Sequence, residues 1–507
     1  TLIQETLKSL RSKDLDQAEI FSQLVMEDLS DVHVKTFHGL GYGILRAVYE
    51  KHGTLLHLDE DKYHKIVKDY IKTKVASNDY IEVMAALKTL ANHSRLSLVD
   101  IHNEKLMREL AWLNDIDLDK KRPDLMKSVL RWLPDIMTIG DNQARDNGTI
   151  DYTDMIYLPI KWELNAPTRY KLMFIDEAQD LSKVTRNLIV NQALDPKGRA
   201  FFIGDENQSI FAWAGADIRS VRDTINMTKA IELPLDVCYR CPTSHISMAQ
   251  KIVPAIKAHP EAKVGTIVLA EADMLTQIVQ PGDMVLCRNT APLFQKAIEC
   301  LRAKIPARIR GRDLCENMIT ILKKIEKVAE SKHQYSYDRL DVLIDDWAVE
   351  EVRYLIKREA SEAAIQTVND KRETLQICYK DIDAKNSNQL IEGIRSLIPS
   401  NKGEGRNISA VEFSTVHRVK GLEADRIFIL EPNILPAVWK NQQSWQLEQE
   451  KNLLYVAITR SKGYLCILGK EDVWKPYVGM IKPTHVYKFE NGKWELKLNV
   501  KEVKDTL

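Results

Sequence analysis

Short apolar runs bounded by polar turn residues alternate along the chain with long stretches of helical periodicity rich in Glu, Lys, Asp and Leu. The runs Lys171–Ile175, Ala200–Ile203, Met284–Cys287, Arg426–Leu430 and Tyr464–Leu468 read as buried parallel strands. Two stretches lack such runs, from about residue 54 to 161 and from about 300 to 407. The second contains Asp338–Arg358, DRLDVLIDDWAVEEVRYLIKR. Both are expected to be helical insertions into an α/β core, with Ser400–Arg406 as the exit linker of the second. Near the end, alternating apolar residues flank Asn491-Gly492 and predict a β-hairpin.

Length sets the scale for these elements: 507 residues correspond to roughly three to four domains at ~150 residues each. With 44% hydrophobic and 28% charged residues the chain is globular rather than disordered. Its 20 Gly, 17 Pro and 7 Cys exclude collagen-like and disulfide-framework proteins. No apolar run approaches the ~18 residues of a membrane helix. The polar, mixed-charge opening TLIQETLKSLRSKDL is not a signal peptide, and the odd, scattered cysteines fit a reducing, cytoplasmic setting. The 72 basic and 72 acidic residues cancel, which decides nothing about nucleic acid, because a phosphate groove needs only a local basic patch.

The strongest local feature is Phe174-Ile175-Asp176-Glu177-Ala178-Gln179-Asp180, an apolar strand ending in adjacent carboxylates. Ligands bind where parallel strands run out. Asp176 is placed to hold Mg²⁺ through its water shell, and Glu177 to orient and deprotonate an attacking water. A bare acidic pair is also what a solvated strand end looks like. A second strand ends in Gly204-Asp205-Glu206-Asn207-Gln208, where Gln208 could contact a phosphate or position a water. Phe211 and Trp213 follow, either a stacking platform for bases or core.

In order and spacing these segments resemble the UvrD/Rep-type superfamily 1 DNA helicases. Thr36-Phe37-His38-Gly39-Leu40-Gly41 is similar to an early DNA-contacting motif, FIDEAQD to the Walker B segment, and GDENQSIFAWAGA to the motif linking nucleotide to DNA. Val237-Cys238-Tyr239-Arg240-Cys241-Pro242 resembles the N-Y-R-S segment, with Cys for the usual Asn and Ser. Leu286-Cys287-Arg288-Asn289-Thr290, the run Ser414–Glu423 (T-x-H-x-x-K-G-L-E) and EKNLLYVAITRS complete the series. The resemblance implies two RecA-like parallel-sheet domains, each with a helical insertion, and ATP with Mg²⁺ in the cleft between them. The expected boundaries are 1–53 and 161–228 for a first core domain truncated at its N-terminus, and 229–297 with 406–475 for the second. The insertions span 54–160 and 298–405, and a hairpin tail spans 476–507.

The resemblance also implies roles. Asp176 and Glu177 serve Mg²⁺ and water activation, and Gln208 senses the γ-phosphate. Tyr239 lies against adenine and Glu423 contacts the ribose. Arg240 and Arg460 reach the triphosphate from the second domain, where a planar fork suits phosphate oxygens. Single-stranded DNA and its junctions with duplex would lie across Thr36, Phe37, His38, Phe211, Trp213, Arg288, Asn289 and His417, with 3′-to-5′ polarity. Each has a bland alternative: Phe37 as core, His38 and His417 as ordinary hydrogen-bonded histidines, Arg240 and Arg460 in surface ion pairs. Cys238-x-x-Cys241 invites a zinc reading, but no second ligand pair stands at suitable spacing.

One expected part is missing. No G-x-x-x-x-G-K-[ST] occurs in the chain, and the residues before Thr36 read as helix. Two expectations compete: a C-terminal portion of a longer helicase, or a P-loop-less relative that binds DNA or a partner without hydrolysis. The Thr start and the intact Asp176, Glu177, Arg240 and Arg460 favour the first, in which residues 1–507 alone are inactive.

Overall fold

A computed structural model describes residues 32–76, 79–114, 116, 118, 124–210, 219–357, 362–397, 410–440, 442–469, 482–490 and 493–498. The fold is mixed α/β, built on two parallel sheets. Strands β1 (Tyr170–Ile175) and β2 (Leu194–Phe202) form the first. The second contains β3 (Thr266–Ala270), β4 (Met284–Cys287), β5 (Ala307–Ile309), β6 (Val411–Thr415), β7 (Ala424–Leu430), β8 (Ser461–Leu468), β9 (His485–Glu490) and β10 (Lys493–Leu498). Its order is β10-β9-β3-β8-β7-β4-β6-β5, and every pairing is parallel except the β9–β10 hairpin.

The continuous apolar runs of the second sheet follow from burial on both faces. Val268, Val285, Phe413, Phe428 and Cys466 point into one core, and Ile267, Met284, Leu286, Ile427 and Leu465 into the other. All five strands read from the sequence form. The hairpin forms too, and β9 adds to the sheet edge through His485 opposite Val268; its turn at Asn491-Gly492 lies outside the described residues. Strand β5 falls within the stretch read as helical and pairs with β6.

The first sheet departs from the expectation of buried strands. Leu172, Phe174 and Phe201 are exposed on one face, and Phe174 stacks on Phe201 with ring centroids 5.0 Å apart. Only the opposite face is covered among the described residues, by Ile175, Ala178, Leu181 and Ile189 with Met173, Ala200 and Phe202 packed against them.

The two long inter-strand stretches are dominated by helices. In the first, α1 (Lys62–Ile71), α2 (Tyr80–Ser97) and α3 (Leu125–Asn147) share an apolar core that includes Val67, Leu87, Leu90 and Leu133. Buried charges tie it to α4 (Tyr152–Lys161): Arg95 contacts Asp151 and Asp154 at 2.7 Å, and Lys62 contacts Asp154 at 2.6 Å. In the second, α5 (Glu362–Asp381) reaches back to the sheet. Its Asp370 accepts the backbone N–H groups of Thr290 (3.0 Å) and Ala291 (2.9 Å), which open the helix Ala291–Arg302. That arrangement satisfies orphan donors at a helix N-terminus with a negative charge.

Candidate functional site

Strand β1 delivers Asp176 and Glu177 to the end of the first sheet. Asp176 is exposed, and its carboxylate accepts the Glu177 N–H at 2.9 Å. Glu177 has φ 54°, a left-handed conformation that costs a non-glycine residue about 1 kcal/mol or more and recurs at functional turns. Gln179 cross-links the two strand ends: its amide N–H donates to the Glu177 carboxylate and its carbonyl accepts the Asp205 N–H at 3.1 Å. Gly204 leaves room for this, because a Cβ there would stand 2.4 Å from the Gln179 carbonyl oxygen. Asp205 in turn accepts from the Gln208 side chain at 2.9 Å, fixing its direction.

Facing these groups, the second sheet contributes cations. Lys420 Nζ lies 2.6 Å from Asp180 and 3.4 Å from Glu177. Arg460 follows the helix α6 (Ser444–Ile458), is 2% exposed, and donates to the carbonyls of Val456 (3.1 Å) and Leu422 (3.3 Å). Its Nη2 reaches Gln208 Oε1 at 3.4 Å. Burial, then the charge of Arg240, lower its proton affinity. Arg240 is exposed and pairs with Glu423 at 2.5 Å, while Lys462 takes the other Glu423 oxygen at 2.5 Å. Lys462 foremost, with Arg240, holds the Glu423 carboxyl below its usual range. Tyr239 is exposed, its ring 4.5 Å from that of His259.

Residues expected to meet DNA have varied settings. Thr36 caps the helix Phe37–Lys51, its hydroxyl accepting the Gly39 N–H at 3.0 Å. Gly41 in the next turn is required by close packing, since a Cβ would stand 2.0 Å from the Met155 carbonyl oxygen. Phe37 is half-buried against Leu40, Ile44 and Val184, whereas His38 is exposed and meets Tyr152 edge-on with centroids 6.2 Å apart. Arg288 forks onto the buried Glu450, with contacts of 2.7 and 3.1 Å, and Asn289 beside it is half-buried. His417 is pushed down to about 3 by burial and by Arg288 and Arg418, so its imidazole is neutral. Phe211 and Trp213 lie outside the described residues.

The family model for the UvrD/REP helicase N-terminal domain matches residues 3–228, and that for the UvrD-like helicase C-terminal domain matches residues 410–468. The chain belongs to the UvrD-type superfamily 1 helicases. It is 22% identical to the F-box DNA helicase 1 of Gallus gallus over 484 residues, covering 87% of this chain and 43% of that protein. It is 23% identical to DNA helicase II of Haemophilus influenzae over 407 residues, covering 60% and 56%. With DNA helicase II of Escherichia coli the identity is 21% over 433 residues, covering 64% and 60%. The chain thus spans about half the length of the curated relatives it matches.

Within this UvrD-type chain, several site residues were not singled out by sequence reasoning. Lys420 was legible only as the lysine of the K-G-L-E segment; its acidic partners were not. Asn452 donates to the Ser209 carbonyl at 3.1 Å and Gln449 to that of Ile210 at 2.8 Å, so polar residues of α6 clasp the turn after Gln208. Asn452 opens the buried half of this helix, whereas Gln449 lies in the charged run Glu448–Lys451 and carried no signal.

Proposed function

We propose that the complete protein is an ATP-dependent DNA helicase, coupling ATP hydrolysis to 3′-to-5′ movement along single-stranded DNA and through its junctions with duplex. The observation that carries this reading is the convergence of Lys420 and Arg460 from the second sheet on Glu177 and Gln208 of the first. In this reading Glu177 orients the attacking water and accepts its proton, and Gln208, held by Asp205, contacts the γ-phosphate. Arg460 and Arg240 stabilise charge developing on the transferred phosphoryl group, an effect worth ~10³–10⁵ in rate for arginine fingers. Tyr239 covers adenine and Glu423 meets the ribose. The exposed carboxylate of Asp176 suits Mg²⁺, which prefers one or two carboxylates plus phosphate oxygens and would neutralise phosphate charge there.

DNA would cross Thr36, Phe37, His38, Phe211, Trp213, Arg288, Asn289 and His417. The phosphate-cradling loop then lies outside residues 1–507, and this chain alone hydrolyses ATP negligibly. The test is DNA-stimulated ATP hydrolysis by the complete protein. Glu177→Gln is expected to abolish turnover with ATP binding retained, and undiminished hydrolysis would remove Glu177 from its role. A second reading draws on the missing P-loop pattern: a DNA-binding relative without hydrolysis. It predicts DNA affinity that is indifferent to ATP and falls steeply with salt.

A further inference from the structure

Cys238 and Cys241 bracket Tyr239-Arg240 on the turn that leaves the short strand Val237–Cys238. The Cys238 sulfur accepts the backbone N–H of Cys241 at 3.4 Å. The Cys241 thiol donates to the Thr459 carbonyl at 3.4 Å, and Arg240 Nη1 donates to the same oxygen at 3.5 Å. Cys238 is half-buried and Cys241 buried, both as free thiols, and the remaining cysteines are buried free thiols elsewhere. Among the described residues, no group of three or more His, Cys, Asp and Glu stands together to hold a metal ion.

The two sulfurs have opposite surroundings. The Cys241 side chain beside it is foremost in pulling Cys238 down to about 5, aided by the N–H groups of Cys241 and Arg240 and by the Arg240 guanidinium. Cys241 is pushed up, first by Cys238 and then by burial. Cys238 is thus the half-buried sulfur with lowered proton affinity, and Cys241 the enclosed thiol beside it, whose backbone N–H it accepts. That division suits an attacking and a resolving cysteine.

We propose that Cys238 and Cys241 form a redox-active dithiol site that exchanges with low-molecular-weight disulfides. The Cys238 thiolate attacks one sulfur of R–S–S–R, a mixed disulfide forms, and the first RS⁻ leaves and takes a proton from water. Cys241 gives up its proton to water and attacks Cys238 Sγ. The intramolecular S–S bond forms as the second RS⁻ departs and is protonated. Two protein thiols are oxidised, and one external disulfide is reduced to two thiols. The S–H donor to the Thr459 carbonyl is lost in the process, on the turn that carries Arg240 and next to Arg460. Through that consequence alone the proposal touches the nucleotide role proposed above.

The full chain is incubated with oxidised glutathione at neutral pH, quenched with N-ethylmaleimide and digested for mass spectrometry. The peptide bearing Cys238 and Cys241 should be unalkylated and lighter by two hydrogens, and dithiothreitol should reverse this. C241S should retain one glutathione on Cys238, and C238S should leave Cys241 without an adduct. In the reduced wild type, Cys238 should alkylate ~10-fold or more faster than the buried cysteines, a measurement that stands even if a variant misfolds. A wild type that forms no internal disulfide, or Cys238 alkylation no faster than that of the buried thiols, overturns the site. Absence of ATP binding by the complete protein in both redox states would sink the proposed function and leave the thiol result intact.

Discussion

Lys420 closes on Asp180 at 2.6 Å, a lysine from the end of one sheet meeting an acid from the end of the other. Burial raises the proton affinity of Asp180, and Lys420 is the main influence opposing it. The pair is therefore a latch between the two halves of the site as well as a local contact, and both its position and its burial have measurable consequences.

Lys420→Met keeps the aliphatic stem and removes the charge. Asp180 is then left largely desolvated with no cation beside it. We expect a loss on the order of 2–3 kcal/mol in urea denaturation, below the ~3–5 of a fully enclosed pair because the Asp180 side chain remains 24% exposed. Lys65→Met, which breaks the surface pair of Lys65 with Asp59 at 2.7 Å, should cost only ~0–1 kcal/mol. Equal losses would show that the Lys420 contact is not a latch.

Arg460 tests the chemistry rather than the packing. Its guanidinium hangs from backbone carbonyls with Nη2 turned to Gln208, so its geometry is fixed before any phosphate arrives. In the complete protein Arg460→Lys should lower the DNA-stimulated kcat by ~10³ with the KM for ATP little changed, because a lysine cannot reproduce the planar fork. A variant with wild-type kcat would make Arg460 a purely structural residue.

In the second sheet β4, β7 and β8 were legible because both faces are buried, leaving uninterrupted runs such as Met284–Cys287, whereas β3 and β6 were not read. Strand β1 looked alike, yet Phe174 is 66% exposed: hydrophobicity records what a residue can bury, not whether a partner is present. The acids and arginines of the site were legible as motifs. Their pairings were not, because Lys420 and Asp180, or Arg288 and Glu450, are joined only by the folded backbone. Strand β5 was hidden within a helical stretch because Ala307–Ile309 is too short to show a period.

Asp370 offers a test of how the second helical stretch is tied to the sheet. Its carboxylate accepts two backbone N–H groups at the start of Ala291–Arg302, the same turn that carries Asn289. Asp370→Ala should cost about 1–2 kcal/mol, as the loss of a helix cap does, and Asp370→Asn should recover much of it, since Asn also caps well. An alanine variant as stable as wild type would mean that water satisfies these donors equally.

The last prediction concerns pH. Asp283 is buried beside Arg426 at 3.2 Å, and burial pushes its carboxyl up to about 6. An unfolded aspartate titrates near ~3.9, so between about pH 4 and 6 the native state holds the extra proton. Its contribution is complete below about pH 4 and is lost as pH rises through 6. His417 acts the other way: native neutrality persists to about 3 while the unfolded imidazole protonates below ~6.5. Its contribution is present above ~6.5 and fades as pH falls. The two slopes oppose each other between about pH 4 and 6, each at most ~1.4 kcal/mol per unit, so these two contributions largely cancel there. Urea midpoints should then show Asp283→Asn gaining stability relative to wild type as pH rises across that window, and His417→Gln losing it. Curves parallel to wild type would mean that neither group changes its proton affinity on folding.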